Sequence, residues 1–275
     1  MLHFAVAGVP LSTPKPGGTV KGLEHAHKLG ITAMEIEWVQ SVPKNPERML
    51  EIRATAEKYQ MALTVHAPYY VNLNSSDPAK LIASKKRIID ALAMAEFAGA
   101  RSVCVHPAFY QGMDKDEVFE RIRKATEEIL SHKKKLFPNV NLAYETMGKT
   151  AQFGTLDEVL KLSAEFGLYP TLDPAHMHAR TNGEYNSERE WNEMFDLYEH
   201  YLGMKALKHV HMHYSGIAYG PKGEKHHLPL KESDAHWKDF LKVLKDRKIE
   251  GNLVCESPLL EKDTLLLKET FEALT

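Results

Sequence analysis

The stretch ALTVHAPYYVNLNSSDPAKLIASKKRIIDALAMAEFAGARSVCVH, residues 62–106, contains one complete unit of the repeating pattern that decides the fold. Its apolar runs Ala62–His66 and Ser102–His106 predict two strands. Between them, Ser76-Asp77-Pro78 offers an N-cap and a first-turn proline, and Gly99 suits the C′ position that ends a helix. The unit is therefore strand, helix, strand, and each strand ends in a histidine.

Apolar runs of the same kind continue the pattern on both sides of this unit. Amphipathic segments separate them, and one such segment opens with Thr155-Leu-Asp-Glu158, a capping box. Eight strands alternating with helices in 275 residues predict a single-domain (β/α)8 TIM barrel over residues 1–275, with a doubly wound open sheet as the competing architecture. The six further predicted strands are Leu2–Gly8, Thr32–Trp38, Val140–Glu145, Tyr169–Asp173, Leu207–Met212 and Asn252–Glu256.

Composition predicts a folded, cytoplasmic protein. The formal charge is −2 and 43% of the residues are hydrophobic, so the chain has no overall basic field for coating nucleic acid. Cys104 and Cys255 both lie in apolar runs and form no disulfide or zinc-cage spacing, so we interpret them as packing residues of a reducing compartment. Neither a basic leader nor a membrane-length apolar stretch is evident. We expect a monomer without a membrane partner.

Histidines and carboxylates cluster at the predicted strand ends and in the long loop from about 214 to 234. Nine of the fifteen histidines lie between His176 and His236. In a parallel barrel the carboxyl ends of all strands meet at one face, so these distant groups are expected to share a pocket. The candidate metal ligands are His66, His106, Glu145, Asp173, His176, His211, Glu224, His226 and Glu256.

Imidazole and carboxylate ligands without thiolates favour zinc, manganese or ferrous iron over calcium or magnesium. Nine ligands exceed the need of one ion, because a catalytic zinc usually takes three or four protein ligands. The sequence therefore predicts two or three ions. Ions about 4 Å apart suit the hydrolysis of phosphoesters, since they stabilise both the entering and the leaving oxygen.

Seven ordered motifs, from the third predicted strand to the eighth, resemble those of the endonuclease IV family within the xylose isomerase-like barrels. They are His66-Ala-Pro-Tyr69, His106-Pro, Glu145-Thr-Met-Gly, Leu172-Asp173-Pro-Ala-His176, Val210-His211-Met-His-Tyr-Ser, Glu224-Lys-His226-His227 and Cys255-Glu256-Ser-Pro258.

The resemblance implies up to three Zn²⁺ ions, with Mn²⁺ as the substitute, and cleavage of damaged double-stranded DNA. The implied reaction hydrolyses the phosphodiester 5′ to an abasic site, with a metal-bound hydroxide as nucleophile. Glu145 and Glu256 are the predicted catalytic residues. The implied ligand sets are His66, His106 and Glu145 for the first ion, Glu145, Asp173, His211 and Glu256 for the second, and His176, Glu224 and His226 for the third.

The chain departs from the family pattern at two places. Glu224 replaces the usual aspartate, and the segment after the second strand carries the acidic Glu35 and Glu37 where the family has a basic DNA-inserting loop. These acids would repel phosphate, orient metal ligands or bind sugar hydroxyls. Tyr69, Tyr70 and Glu37 are the predicted substrate-binding residues, the tyrosines because aromatic rings stack on exposed bases.

Two other functions remain open from the sequence. A divalent-metal-dependent isomerase or epimerase of a small sugar or cyclitol fits the acidic Glu35 and Glu37, although nine ligands exceed its need. A non-catalytic metal-binding protein has only the histidine excess in its favour. His209 and His213 share strand parity with His211, and we interpret both as buried, hydrogen-bonded residues without a catalytic role.

Overall fold

A computed structural model, which describes residues 1–274, contains twelve strands, eight of which form one parallel sheet. A parallel bridge between Glu145 and Thr171 joins the two ends of this sheet, so the strands close into a barrel. The prediction of a TIM barrel is confirmed. The strands are β1 (Leu2–Ala7), β2 (Ala33–Glu37), β3 (Ala62–His66), β4 (Ser102–Val105), β5 (Ala108–Phe109), β6 (Asn141–Tyr144), β7 (Gln152–Phe153), β8 (Thr171–Leu172), β9 (Val210–Tyr214), β10 (Gly216–Gly220), β11 (Gly223–Leu228) and β12 (Gly251–Cys255).

Helices cover the outside of the barrel, and two large hydrophobic clusters fill the layer between helices and strands. None of the helices in residues 1–274 is long and apolar enough to cross a membrane. The helices are α1 (Thr19–Lys28), α2 (Pro46–Lys58), α3 (Pro78–Ala98), α4 (Lys115–Leu130), α5 (Lys133–Leu136), α6 (Leu156–Phe166), α7 (Pro174–Arg180), α8 (Glu188–Leu202), α9 (Trp237–Asp246) and α10 (Glu261–Ala273).

The predicted helix signals act as expected. The Asp77 side chain accepts hydrogen bonds from the first amides of α3, and Gly99 ends that helix at a φ of 70°, a left-handed conformation that glycine adopts without strain. Thr155 and Glu158 form the capping box of α6. These local signals fix the start of α3 and of α6 and the end of α3.

Strand β9 differs most from its predicted position. The predicted run began at Leu207, but residues Met204–Lys208 form a 3₁₀ helix and the strand occupies Val210–Tyr214. The strand therefore continues two residues farther toward the carboxyl end of the barrel than predicted. His213 pairs in register with Val254, near the end of β12, whereas His211 pairs with Asn252, near its beginning.

Candidate metal centre

The carboxyl ends of the barrel strands surround a cavity of about 290 Å³, which we call the central cavity. His66 ends β3, and His106 and Glu145 directly follow β4 and β6. Because side chains alternate across a strand, residues at matching positions of neighbouring strands all turn toward the barrel axis. Histidines and glutamates that line the cavity are His66, His106, His176, Glu224, His227 and Glu256.

Glu145 is fully buried and lies between two groups of ligand side chains. Its Oε2 is 2.8 Å from His106 Nε2 and 3.7 Å from His66 Nε2. The Nδ1 atom of His66 lies 2.7 Å from the Ala67 carbonyl oxygen, which leaves Nε2 facing the carboxylate. His66, His106 and Glu145 thus lie together, and we call these three side chains the first group.

The second group contains His213 in place of the predicted His211. His213 Nδ1 lies 3.2 Å from Glu145 Oε1 and 3.4 Å from Glu256 Oε1. Ligand atoms of Glu145, Asp173, His213 and Glu256 all lie within 4.8 Å of one another. His211 also points into the barrel, but it lies one layer deeper, because β9 extends past the predicted end.

The third group combines α7 with the β10–β11 hairpin. His176 Nε2 lies 3.6 Å from Glu224 Oε2, and the rings of His176 and His227 are 5.8 Å apart. Ligand atoms of His176, Glu224 and His227 lie within 4.8 Å of one another, whereas the predicted ligand His226 is exposed.

A β-bulge explains why His227 replaces His226. In the hairpin register, Tyr219 pairs with Glu224 and Ala218 pairs with His226, so Lys225 has no partner. One extra residue reverses the alternation of side chains along β11. Glu224 and His227, three residues apart, therefore face the same side, and His226 faces away.

Gly148 makes room for this third group. A Cβ at position 148 would lie 2.8 Å from the Glu224 Cβ and 3.0 Å from the His176 ring. Real Cβ atoms do not approach other atoms so closely, so only glycine allows Glu224 and His176 to lie this near to the backbone. The motif Glu145-Thr-Met-Gly thus contributes a candidate ligand, Glu145, and a glycine that leaves room for the side chains of the third group.

The second group contains buried carboxylates that have no lysine or arginine partner. Among residues 1–274, no lysine or arginine forms an ion pair with Glu145, Asp173 or Glu256. Burial raises the pKa of Asp173 to about 6, and Asp173 Oδ2 is buried without a hydrogen-bond partner. Buried charges normally pair with opposite charges or bind metals. The residues therefore fit a divalent cation.

Histidines and carboxylates strongly shift each other's pKa. Burial acts to raise the pKa of Glu145, but the charges of His106 and His213 hold that pKa well below its usual range. Burial acts to lower the pKa of His176, yet Asp173 and Glu145 raise it to about 10. Without metal, the neighbouring carboxylates raise the pKa of His176 and of His213 and so favour their protonated forms, and an incoming metal ion would displace these protons.

Cys104 is more than a packing residue, contrary to the prediction. Its thiol donates a 3.2 Å hydrogen bond to Glu145 Oε2 from within the barrel. Burial raises the pKa of the thiol, which keeps it protonated. Because position 104 has the same inward parity as His106, the strand alternation was the signal that could have placed Cys104 inside the barrel. Cys255 is buried in the hydrophobic layer.

The predicted substrate-binding residues lie at different depths. Tyr69 is 46% exposed, lines the central cavity and packs against the rings of His66 and His106. Tyr70 is 66% exposed and does not line the cavity. Glu37 lies beside a second pocket of about 310 Å³, and its buried Oε1 has no hydrogen-bond partner. Burial raises the pKa of Glu37 to about 8.

Comparisons with known proteins agree with the barrel fold. The whole chain is 37% identical to an uncharacterised protein of Methanocaldococcus jannaschii and covers 98% of that protein. A probable endonuclease 4 of Staphylococcus epidermidis is 24% identical over 74% of the chain and 71% of the relative.

Solved structures with the same fold include an endonuclease and an epimerase-like protein. Endonuclease IV of Thermus thermophilus superposes with a TM-score of 0.73 at 21% identity, covering 98% of both chains. A D-tagatose 3-epimerase-like protein gives 0.71 at 17% identity, covering 98% of this chain and 96% of the other. A family model described as xylose isomerase-like TIM barrel matches residues 23–274. The chain belongs to the xylose isomerase-like TIM barrel family.

Proposed function

We propose that the protein is a metal-dependent phosphodiesterase that cleaves DNA 5′ to an abasic site. The observation that carries the proposal is the contact between three ligand groups at one cavity. Glu145 reaches His106 with one oxygen and both His213 and His176 with the other. A single carboxylate thus connects all three groups, which is the arrangement expected for neighbouring ions that act on one phosphoryl group.

Zinc is the metal that we propose, with manganese as the substitute, because imidazole and carboxylate are ligands common to both. Divalent ions there would polarise the phosphoryl oxygen and lower the pKa of a bound water. The first group would use His66, His106 and Glu145. The second would use Glu145, Asp173, His213 and Glu256, and the third would use His176, Glu224 and His227.

Residues around the ligands would position the DNA. The ring of Tyr69 packs beside those of His66 and His106, where an unpaired base or a deoxyribose could stack on it. Lys149 lines the cavity and is exposed, so its ammonium group can meet a backbone phosphate. The similarity to probable endonucleases 4 supports this substrate class.

The decisive experiment is incision of a labelled duplex that carries one tetrahydrofuran abasic analogue. Protein reconstituted with zinc should cut on the 5′ side of the analogue and leave an intact undamaged duplex, and metal analysis should give about three ions per chain. The Glu145→Gln variant is the inactive control. Fully metallated, folded protein that does not cut would overturn the proposal.

A small-sugar epimerase is the second candidate function, and Glu37 favours it. The unpartnered oxygen of Glu37 would accept a hydrogen bond from a sugar hydroxyl, and a DNA phosphate would not supply that donor. The fold similarity to the D-tagatose 3-epimerase-like protein is compatible with this reaction. Conversion of D-tagatose or D-fructose by the metallated protein, without incision of DNA, would select this candidate.

A further inference from the structure

A buried polar network lies directly beneath the metal centre, and His213 is the one member of it that the proposed function uses as a ligand. Glu35 is fully buried inside the barrel, as are His211 and His213. Of the three roles considered above for Glu35, repelling phosphate and binding a sugar hydroxyl both need access to the central cavity, whose lining does not include Glu35. Its position requires a different explanation.

Each oxygen of Glu35 has its own contacts. Oε2 accepts a 2.6 Å hydrogen bond from Thr64 Oγ1 and lies 2.8 Å from His211 Nε2. Oε1 lies 2.8 Å from His213 Nε2. The second nitrogen of His211 is in turn 2.8 Å from Ser102 Oγ. Side chains of β3 and β9 therefore hold the carboxylate of Glu35, and Ser102 of β4 supports one of them, His211.

His213 connects this network to the metal centre. Its Nε2 faces Glu35, and its Nδ1 faces Glu145 and Glu256 at 3.2 and 3.4 Å. A histidine that binds a metal through one nitrogen commonly directs the other N–H to a carboxylate, which fixes the ring and makes the ligand more basic. Glu35 Oε1 and His213 Nε2 are both buried without a hydrogen-bond partner and lie 2.8 Å apart, so a small rotation of the ring would direct that N–H to the carboxylate.

We propose that Glu35 is a positioning residue for His213, and that Thr64 and His211 hold Glu35 in place. The contact at Nε2 keeps the proton on that nitrogen and leaves Nδ1 free for the second ion. This inference rests on the metal centre of the proposed function, but it does not depend on DNA as the substrate.

The test measures metal affinity in the wild type and in Glu35→Gln, with competition by a chelator and metal analysis. The second ion should bind about 10- to 100-fold more weakly in the variant, which is the usual effect of removing such a partner. Ions at the first and third groups should keep their affinities. The Glu35→Asp variant should recover part of the loss, and His211→Asn should cause a smaller loss, since Thr64 still holds the carboxylate.

Glu190→Gln is the matched control, because Glu190 is another buried glutamate but lies on α8, outside the barrel. It should leave all metal affinities unchanged. In zinc-loaded protein labelled with ¹⁵N-histidine, His213 should show a metal-bound Nδ1 and a protonated Nε2, and Glu35→Gln should change this signature.

Two results would overturn the inference. One is an unchanged affinity and an unchanged His213 signature in Glu35→Gln. The other is an additional ion in the wild type that this variant loses, because Glu35, His211 and His213 would then be ligands themselves. Failure to cut an abasic duplex would overturn the proposed function alone, since the metal affinities are measured without DNA.

Discussion

Glu224 and His227 lie three residues apart on one strand and yet face the same side, because the bulge at Lys225 reverses the alternation between them. This relationship determines which histidine of the His226-His227 pair can complete the third ligand group. Its consequence can be tested directly with two neighbouring variants.

His227→Ala should remove the third ion and lower incision at least about tenfold, since loss of a direct ligand should cost no less than loss of a supporting contact. His226→Ala is the matched control, because His226 is exposed on the opposite face. It should bind three ions and retain wild-type activity. Metal analysis with incision assays gives both readouts. Equal effects of the two substitutions would contradict the observed hairpin register.

Glu145→Gln should lower incision by at least about 100-fold, because the amide removes the charge that connects the three groups. We expect the variant to remain folded, since glutamine has nearly the same shape. Circular dichroism and thermal unfolding would verify the fold, and metal analysis would show the loss of ions. A folded variant with full activity would disprove the assignment of Glu145.

Metal affinity at the third group should increase with pH between about 7 and 9. Carboxylates raise the pKa of His176 to about 10, so metal-free protein holds this imidazole protonated at pH 7. Metal binds only the neutral form, so each binding event must displace the proton. The affinity should therefore rise by up to about tenfold per pH unit.

The raised pKa of His176 also affects the stability of the metal-free protein. A raised histidine pKa contributes stability that is complete below the ordinary value of 6.5 and is lost as the pH approaches about 10. Thermal unfolding of metal-free protein should show this decline, and His176→Gln should reduce it. A metal affinity independent of pH over this range would contradict the assignment of His176 as a ligand.

Gly148→Ala should weaken metal binding at the third group without unfolding the barrel. The added methyl group would displace Glu224 or the His176 ring. Gly17→Ala is the control, because a Cβ there meets no atom within 4 Å. Metal analysis and incision assays should show a lower metal content and a lower activity for Gly148→Ala than for Gly17→Ala. Three tightly bound ions in Gly148→Ala would show that the hairpin can adjust its position.

The sequence predicted most of the barrel, because strand, helix and cap signals agree with one another along the chain. The strand Ala62–His66 has the predicted bounds, and the capping box at Thr155 forms as expected. Placing residues at strand ends was sufficient to bring Glu145 and Glu256 into one site, since parallel strands all end on the same face.

The positions of two candidate ligands depend on features that the periodicity of side chains along a strand does not determine. His211 and His213 have the same parity, so only the vertical position of β9 decides which one reaches the cavity, and the 3₁₀ helix before that strand shifts this position. His226 and His227 differ in parity, and a single bulged residue decides between them. Both differences between the expected and the observed positions arise from shifts of one or two residues.

The third ligand group has a different dependence on the fold from the other two. Glu224 and His227 belong to the β10–β11 hairpin, which is not part of the eight-stranded sheet. The residues of the first two groups lie in the barrel strands or directly follow them. If β11 lacked the bulge, regular alternation of the same residues would place His226 beside Glu224 instead of His227, while the barrel remained intact. The composition of the third ligand group can therefore change with the register of one hairpin, which gives a simple route by which barrels of this family could acquire different reactions.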